Sequence, residues 1–192
     1  MNLGLHIFGE IPRDERRVEM INSIVRYGEE HDSIRDCIAD IMGLDLSELY
    51  KGQGEVNDRF NVSNGALIED IGIKTRDFIS LILEEYSTKD ALAHIGLSGT
   101  EEQINSFNKF VEIIFEVNRR MDESKEIESL LNALNGGFIK PGPSGLITRG
   151  KYDILPTGRN FYSMDPHSAP TTTAWKVGVR LADISLNKYI EE

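Results

Sequence analysis

The chain has a single cysteine, Cys37, in 192 residues. An intramolecular disulfide is therefore excluded, and the composition fits a reducing, cytoplasmic setting. Positive charge is also in short supply, with 21 Lys and Arg against 32 Asp and Glu and a net charge of −11. A pI near 4.9 argues against a nucleic-acid partner, which needs basic surface to displace counterions from phosphates. No apolar run is long enough to cross a bilayer, so no membrane partner is expected. Glu10, Arg13 and Asp14 follow Met1 too closely for the apolar stretch of a signal peptide. Proline is scarce, and five of the six lie between Pro141 and Pro170. The first 140 residues thus hold a single proline, Pro12. With 40% hydrophobic residues the chain can bury a real core, and its length suits one domain, or one domain with an appendage.

What is present is mostly helical periodicity. Leu3–Phe8 reads as a short strand or extended entry. Over 14–30, Val18, Ile21, Ile24 and Val25 share a face. Over 33–42, Ile34, Ile38, Ile41 and Met42 do the same before Gly43 stops the helix. Cys37 lies on that apolar face and reads as a small core residue. Residues 51–64 are polar and loop-like. A long helix is expected from about Gly65 to Glu85 with Leu67, Ile71, Phe78 and Ile82 inward, then a short one over 88–95 ending at Gly96. Thr100 and Gln103 form a capping box that opens a helix carrying Ile104, Phe107, Val111, Ile114 and Phe115. A further helix covers 124–135 with Ile127, Leu130, Leu131 and Leu134, and Gly136-Gly137 end it. The last helix runs from about Pro170 to Ile190 with a seam of Trp175, Val179, Ala182, Leu186 and Tyr189. The helices over 100–122 and 170–190 are each expected to bury a continuous stripe. The sequence shows neither a repeat nor a succession of strands that would build a sheet. The expected class is mainly α: a helical part over 1–135, a Pro/Gly-rich loop over 136–169 and a terminal helix over 170–192.

The loop is the unusual stretch. Between Gly136 and Asp165 the net charge is +2, inside a strongly acidic chain. A loop of this length is usually either functional or disordered. Phe138, Ile147, Tyr152, Ile154, Leu155, Phe161 and Tyr162 run through it, whereas disordered tracts are poor in such residues. An ordered loop held by its own contacts is therefore expected.

Gly145 to Lys151 match the first seven positions of a phosphate-binding G-x-x-x-x-G-K loop. The eighth is Tyr152, where Mg²⁺ needs a Ser or Thr hydroxyl, and YDILPTG cannot open a helix. No ATP site is expected in this chain. His6, His31, His94 and His167 show no metal-ligand spacing with one another or with Cys37. Asp165 and His167 flank Pro166 and are a weak candidate metal pair, for which turn chemistry and solvation are the default. His6 sits in an apolar run, either as a core histidine or aimed from a strand end into a cleft. Lys140 and Arg159 are the strongest anion-holding candidates, with Arg149, Asn160 and Tyr162 beside them. Arg159 admits two readings: a planar fork for a carboxylate, or a clamp on the loop's own carbonyls. No catalytic residue can be named.

The segment LPTGRNFYSMDP (Leu155–Pro166) carries a resemblance. Residues Ala133–Pro170 resemble the large subunit of cobaltochelatase (the CobN type) and, less closely, the porphyrin-binding large (H) subunit of magnesium chelatase. The matching pieces are PGPSG at Pro141–Gly145, TRG at Thr148–Gly150, LPTGRN at Leu155–Asn160 and FYSMDP at Phe161–Pro166, with Pro170, Thr171, Ala174 and Trp175 beyond. GLHIFGE at Gly4–Glu10 and MGLDL at Met42–Leu46 fit the run-up, and the likeness is weakest over 51–125. FYS and Trp175 favour the cobalt branch. His167 stands where the family pattern has Arg, Lys or Gln, which counts against a ligand role. The resemblance implies a piece of a much longer subunit, inactive by itself. It implies a cytoplasmic, ATP-dependent enzyme that inserts a divalent metal, cobalt or magnesium, into a tetrapyrrole. The large subunit would hold the macrocycle, and partner AAA+ ATPase subunits would hydrolyse ATP. Residues Lys140, Arg149, Arg159, Asn160 and Tyr162 become candidates for contacting the macrocycle or anchoring the loop. No resident cofactor is implied for this chain.

Overall fold

A computed structural model describes residues 7–25, 33–145, 152–162 and 172–191. The architecture is mainly α. The first helix, α1 (Asp14–Val25), buries Ile21, Ile24 and Val25. Next, α2 (Ile34–Ile41) opens with Ser33 and Asp36 in a reciprocal capping box, which satisfies two orphan amide donors at once. Gly43, at φ +70°, ends it as expected. Helix α3 (Leu46–Lys51), capped by Asp45, follows, and an antiparallel hairpin of two-residue strands, β1 (Val56–Asn57) with β2 (Val62–Ser63), lies in the 51–64 stretch that reads as polar loop.

The central element is α4 (Asn64–Leu83), capped by Ser63. It packs against α1, α2, α3, α5 (Thr88–His94) and α7 (Asn108–Asp122). Its expected inward residues, Leu67, Ile71, Phe78 and Ile82, are all buried. Thr100 and Gln103 cap α6 (Glu101–Ser106) as expected. The helix they open is interrupted at Phe107, where α6 gives way to α7. Phe107 is fully buried there, its ring 5.0 Å from that of Phe78 and tilted by 54°. Phe110, Ile114, Val117 and Met121 continue the buried stripe along α7, whereas Phe115 is exposed. Cys37 is half-buried against this core, with the Ser106 hydroxyl 3.5 Å from its Sγ. An ion pair between Arg17 of α1 and Asp122 ties the two helices together.

Beyond α7 the packing changes. Helix α8 (Glu126–Leu134) has no buried residue. In the loop after it, β3 (Pro141–Pro143) and β4 (Asn160–Tyr162) pair in parallel, Gly142 opposite Phe161. Pro141 and Pro143 cannot donate to a ladder and suit a strand paired along one edge. Between them lies a 3-10 turn over Tyr152–Ile154. The terminal helix α9 (Thr172–Glu191) corrects one expectation. Its seam is not covered: Trp175 is 63% exposed, and Val179, Leu186 and Tyr189 are exposed as well. The apolar spacing that signals burial is present, and no other described part of the chain packs along it.

Candidate functional site

The LPTGRN stretch is built onto the junction between α7 and α8. Leu155 is the part that enters the core, at 2% exposure. From α7, the Arg120 guanidinium donates to the Leu155 carbonyl at 3.3 Å and lies over the Tyr152 ring, 5.5 Å from its centroid. Arg120 is itself held by the Glu116 carboxylate. The Thr157 amide donates to Ser124 Oγ at 3.0 Å, and the Lys125 amide donates to the Thr157 carbonyl at 3.3 Å. Gly158 comes next, at φ +86°, where a Cβ would stand 2.7 Å from the Lys125 carbonyl carbon and oxygen. Both the backbone conformation and the close approach require glycine. The Leu155–Pro156 peptide is cis.

The same junction grips the start of the chain from another side. The Gly9 amide donates to Glu126 Oε2 at 2.6 Å. Gly9 has φ +80°, and a Cβ there would lie 2.5 Å from Ile127 Cδ1. Two stretches far apart in sequence, residues 7–10 and 155–158, therefore converge on the first turn of α8. The IFGE end of GLHIFGE and the LPTG part of the loop are thereby joined through residues 124–127.

Arg159 locks the loop internally. Its Nε donates to the Pro156 carbonyl at 2.9 Å, and its Nη2 reaches the carbonyls of Asp153, Ile154 and Leu155 at 2.8, 3.1 and 2.9 Å. Four carbonyls converge on one guanidinium because the chain folds back around it from the 3-10 turn. Gly142 supplies the room, since a Cβ at that position would lie 2.8 Å from Arg159 Nε. In these contacts Arg159 acts as a clamp on its own loop. Its Nη1 has no hydrogen-bond partner among the described residues.

The other candidates are placed as follows. The Lys140 carbonyl accepts the Asn160 amide at 3.0 Å, and the Lys140 side chain is exposed. Asn160 is exposed at the start of β4, and Tyr162 contributes backbone at its end. Phe138, before β3, and Phe161, within β4, are exposed at 82% and 71%. His6, Arg149, Asp165 and His167 lie outside the described residues. Among the described residues no group of three or more His, Cys, Asp or Glu could hold a metal ion. The described surface of the loop thus offers one exposed cation, Lys140, and two exposed aromatic rings beside a hydrogen-bonded backbone.

The sequence reading passed over Arg120, Ser124 and Glu126, which do much of the positioning. Glu116 adds an electrostatic element. Hydrogen bonds from Arg120 and Arg119 hold its carboxyl below the usual carboxylate range, and Arg119 is raised in turn by Glu116 and Glu123. An acidic residue four positions before an Arg on one helix face is a legible signal. The loop carbonyl that Arg120 reaches, 35 positions away, has no such signature.

The model of the family described as CobN/Magnesium Chelatase matches residues 1–192. An uncharacterized protein of Methanocaldococcus jannaschii is 38% identical over 191 residues, covering 100% of this chain and 14% of its own length. The aerobic cobaltochelatase subunit CobN of Pseudomonas aeruginosa is 29% identical, over 98% of this chain and 16% of its own length. The H-type subunit of magnesium chelatase from Chlorobaculum parvum is 27% identical, over 98% of this chain and 15% of its own length. This chain thus spans only about a seventh of these curated relatives while matching them almost end to end. It belongs to the CobN/magnesium chelatase family.

Proposed function

We propose that this segment forms one wall of the tetrapyrrole-binding cleft in the large subunit of an ATP-dependent metal chelatase, and that the metal inserted is cobalt, into a corrin precursor. The observation that carries this is the clamped loop. A stretch that would otherwise be loose is fixed by four carbonyl bonds to Arg159 and by the α7–α8 junction, with Phe138, Phe161 and Lys140 exposed around it. Metallation requires a macrocycle held still while its pyrrole nitrogens give up protons to solvent or to a base. A rigid surface with aromatic faces and a cation for a peripheral carboxylate suits that task. Lys140, exposed just before β3, is the group we assign to such a carboxylate. Arg159 acts mainly as the positioning residue, with Nη1 in reserve. ATP hydrolysis is assigned to partner AAA+ subunits.

The cobalt reading rests on FYS at Phe161–Ser163 and on Trp175. Identity to the cobalt and magnesium relatives differs by only two percentage points, so magnesium insertion into a porphyrin is the competing assignment. The test is titration of a corrin precursor and of a porphyrin against the intact large subunit and its Lys140→Ala and Arg159→Lys variants. Loss of a charge-assisted bond at Lys140 is expected to weaken binding roughly 10- to 100-fold without moving the melting temperature. Unchanged affinity for both macrocycles in both variants would overturn the cleft-wall reading. Tighter porphyrin than corrin binding would move the assignment to the magnesium branch.

A further inference from the structure

Helix α8 lacks the usual supports of a short helix. It has nine residues, and an isolated helix shorter than about 12–15 residues is marginal in water. Most such helices are held by burying an apolar face. Helix α8 buries no residue, and Lys125 at its N-cap makes no side-chain capping bond. Its C-terminal end is closed locally, with the Gly136 amide on the Ala133 carbonyl and the Gly137 amide on the Asn132 carbonyl. Its N-terminal end is closed from outside. The Lys125 amide donates to the Thr157 carbonyl, Gly158 lies against the Lys125–Glu126 backbone, and the Glu126 carboxylate accepts the Gly9 amide.

Starting a helix is harder than extending it, because the first turn fixes several residues for one hydrogen bond. Contacts that hold residues 125–127 in place supply that first turn. The Glu126 carboxylate also sits at the positive end of the helix dipole, and its bond to the Gly9 amide is charge-assisted. The start of α8 is thus assembled from two stretches that lie far from each other in sequence, residues 7–10 and 155–158.

We infer that α8 is a conditional helix: residues 7–10 are a strap that holds its first turn together with the 155–158 loop, and strap, loop and α8 order and release as one unit. The coupling is reciprocal. Whatever draws residues 7–10 off α8 loosens the loop, and a ligand that orders the loop fastens the strap. The body around α4 stands outside this unit, since α4 and α7 bury their own apolar stripes. The inference rests on these contacts and is independent of the tetrapyrrole reading.

The test is native-state hydrogen exchange on the full chain and on its Glu126→Ala, Glu126→Gln and Gly158→Ala variants. Three amides report the unit: Gly9 on the Glu126 carboxylate, Ser129 on the Lys125 carbonyl and Thr157 on Ser124 Oγ. Ala and Gln both remove the charge at position 126, and Ala is the better helix former, but Gln alone keeps an acceptor for the Gly9 amide. In Glu126→Ala all three amides are expected to exchange roughly 10- to 100-fold faster, the size of a lost charge-assisted bond, with Ile71 and Phe78 of α4 unchanged. Glu126→Gln should recover part of the protection at all three. Gly158→Ala should speed Gly9 and Ser129 along with Thr157, although its added methyl is aimed at the Lys125–Glu126 backbone. Ser129 protection that is absent in the wild type, or that survives Glu126→Ala, would overturn the conditional helix. Gly9 exchange left at its wild-type rate in Gly158→Ala would overturn the coupling. Equal exchange in the Ala and Gln variants would assign the effect to the charge at the helix end and remove the strap. Loss of protection at Ile71 and Phe78 by the same factor would also overturn it, because α8 would then open only with the body.

Discussion

Residues 14–122 and residues 126–191 solve the problem of apolar surface in different ways. In the first region the periodic residues meet one another: Phe78 of α4 against Phe107, Ile21 and Ile114 at zero exposure, Thr75 tied back to the Ile71 carbonyl. In the second region equally regular stripes on α8 and α9 face outward. What shape the second region has comes largely from polar bonds, with Arg159 on four carbonyls and Ser124 and Lys125 on Thr157. Among the described residues, Leu155 is its one member of the main core. Periodicity therefore specifies which face is to be covered, and the location of the cover is decided elsewhere. A helix that reads as core can be the core of something larger.

This contrast predicts a gradient of mutational effects. The largest belongs to the body. Phe78→Ala removes a ring packed at zero exposure and is expected to cost about 3–5 kcal/mol, seen as a lowered urea midpoint by circular dichroism. A loss under about 1 kcal/mol would mean that the body is not close-packed around α4.

Gly158→Ala comes next. At a compatible position Gly→Ala stabilises by ~0.4–1 kcal/mol; here the positive φ and the 2.7 Å approach to Lys125 should reverse the sign and cost more than about 1 kcal/mol. The damage should appear as fast amide exchange over 155–160, with the α4 amides unaffected. An unaltered loop in this variant would remove the α7–α8 junction from the account.

Acid should act on the same contact more gently. Glu116 has its carboxyl lowered in the folded state, first by Arg120 and then by Arg119. Its contribution is therefore present above the unfolded-state value and is lost only as pH falls through the folded value, below the usual carboxylate range. Loop exchange corrected for intrinsic rates should stay flat through neutral pH and rise only there. Glu116→Gln should abolish that acid step.

The smallest effect belongs to α9. Leu186→Ala touches a side chain already in water and should shift the stability of this chain on its own by no more than about 0.5 kcal/mol. A loss of the size seen for core positions would show that α9 is packed within the chain after all.

Much of the body was legible because its signals are local. The Thr100–Gln103 box, the glycines after α2 and α5, and the inward residues of α4 all stand where spacing puts them. Helix α3 was missed because six residues are too few to show a period, although Asp45 is a good cap. The β3–β4 pair was missed because a proline-bounded parallel pairing between residues 19 positions apart has no sequence period at all. The site was legible in part. The loop's order and the two roles open to Arg159 followed from composition and from the chemistry of guanidinium. The loop's anchorage on Arg120 and Ser124, and that of Gly9 on Glu126, did not, since these contacts join stretches 33 to 117 positions apart.

The claim on which the rest depends is that Arg159 holds the loop as one cooperative unit on the α7–α8 junction. Native-state hydrogen exchange on the wild-type chain and on Arg159→Ala tests it directly. In the wild type, the amides of Leu155, Thr157 and Asn160, bonded to the Tyr152 carbonyl, Ser124 Oγ and the Lys140 carbonyl, should be protected. In Arg159→Ala all three should lose protection together while Ile71, Phe78 and Ile79 keep theirs. Loop amides that exchange freely in the wild type, or that stay protected without Arg159, would contradict the account.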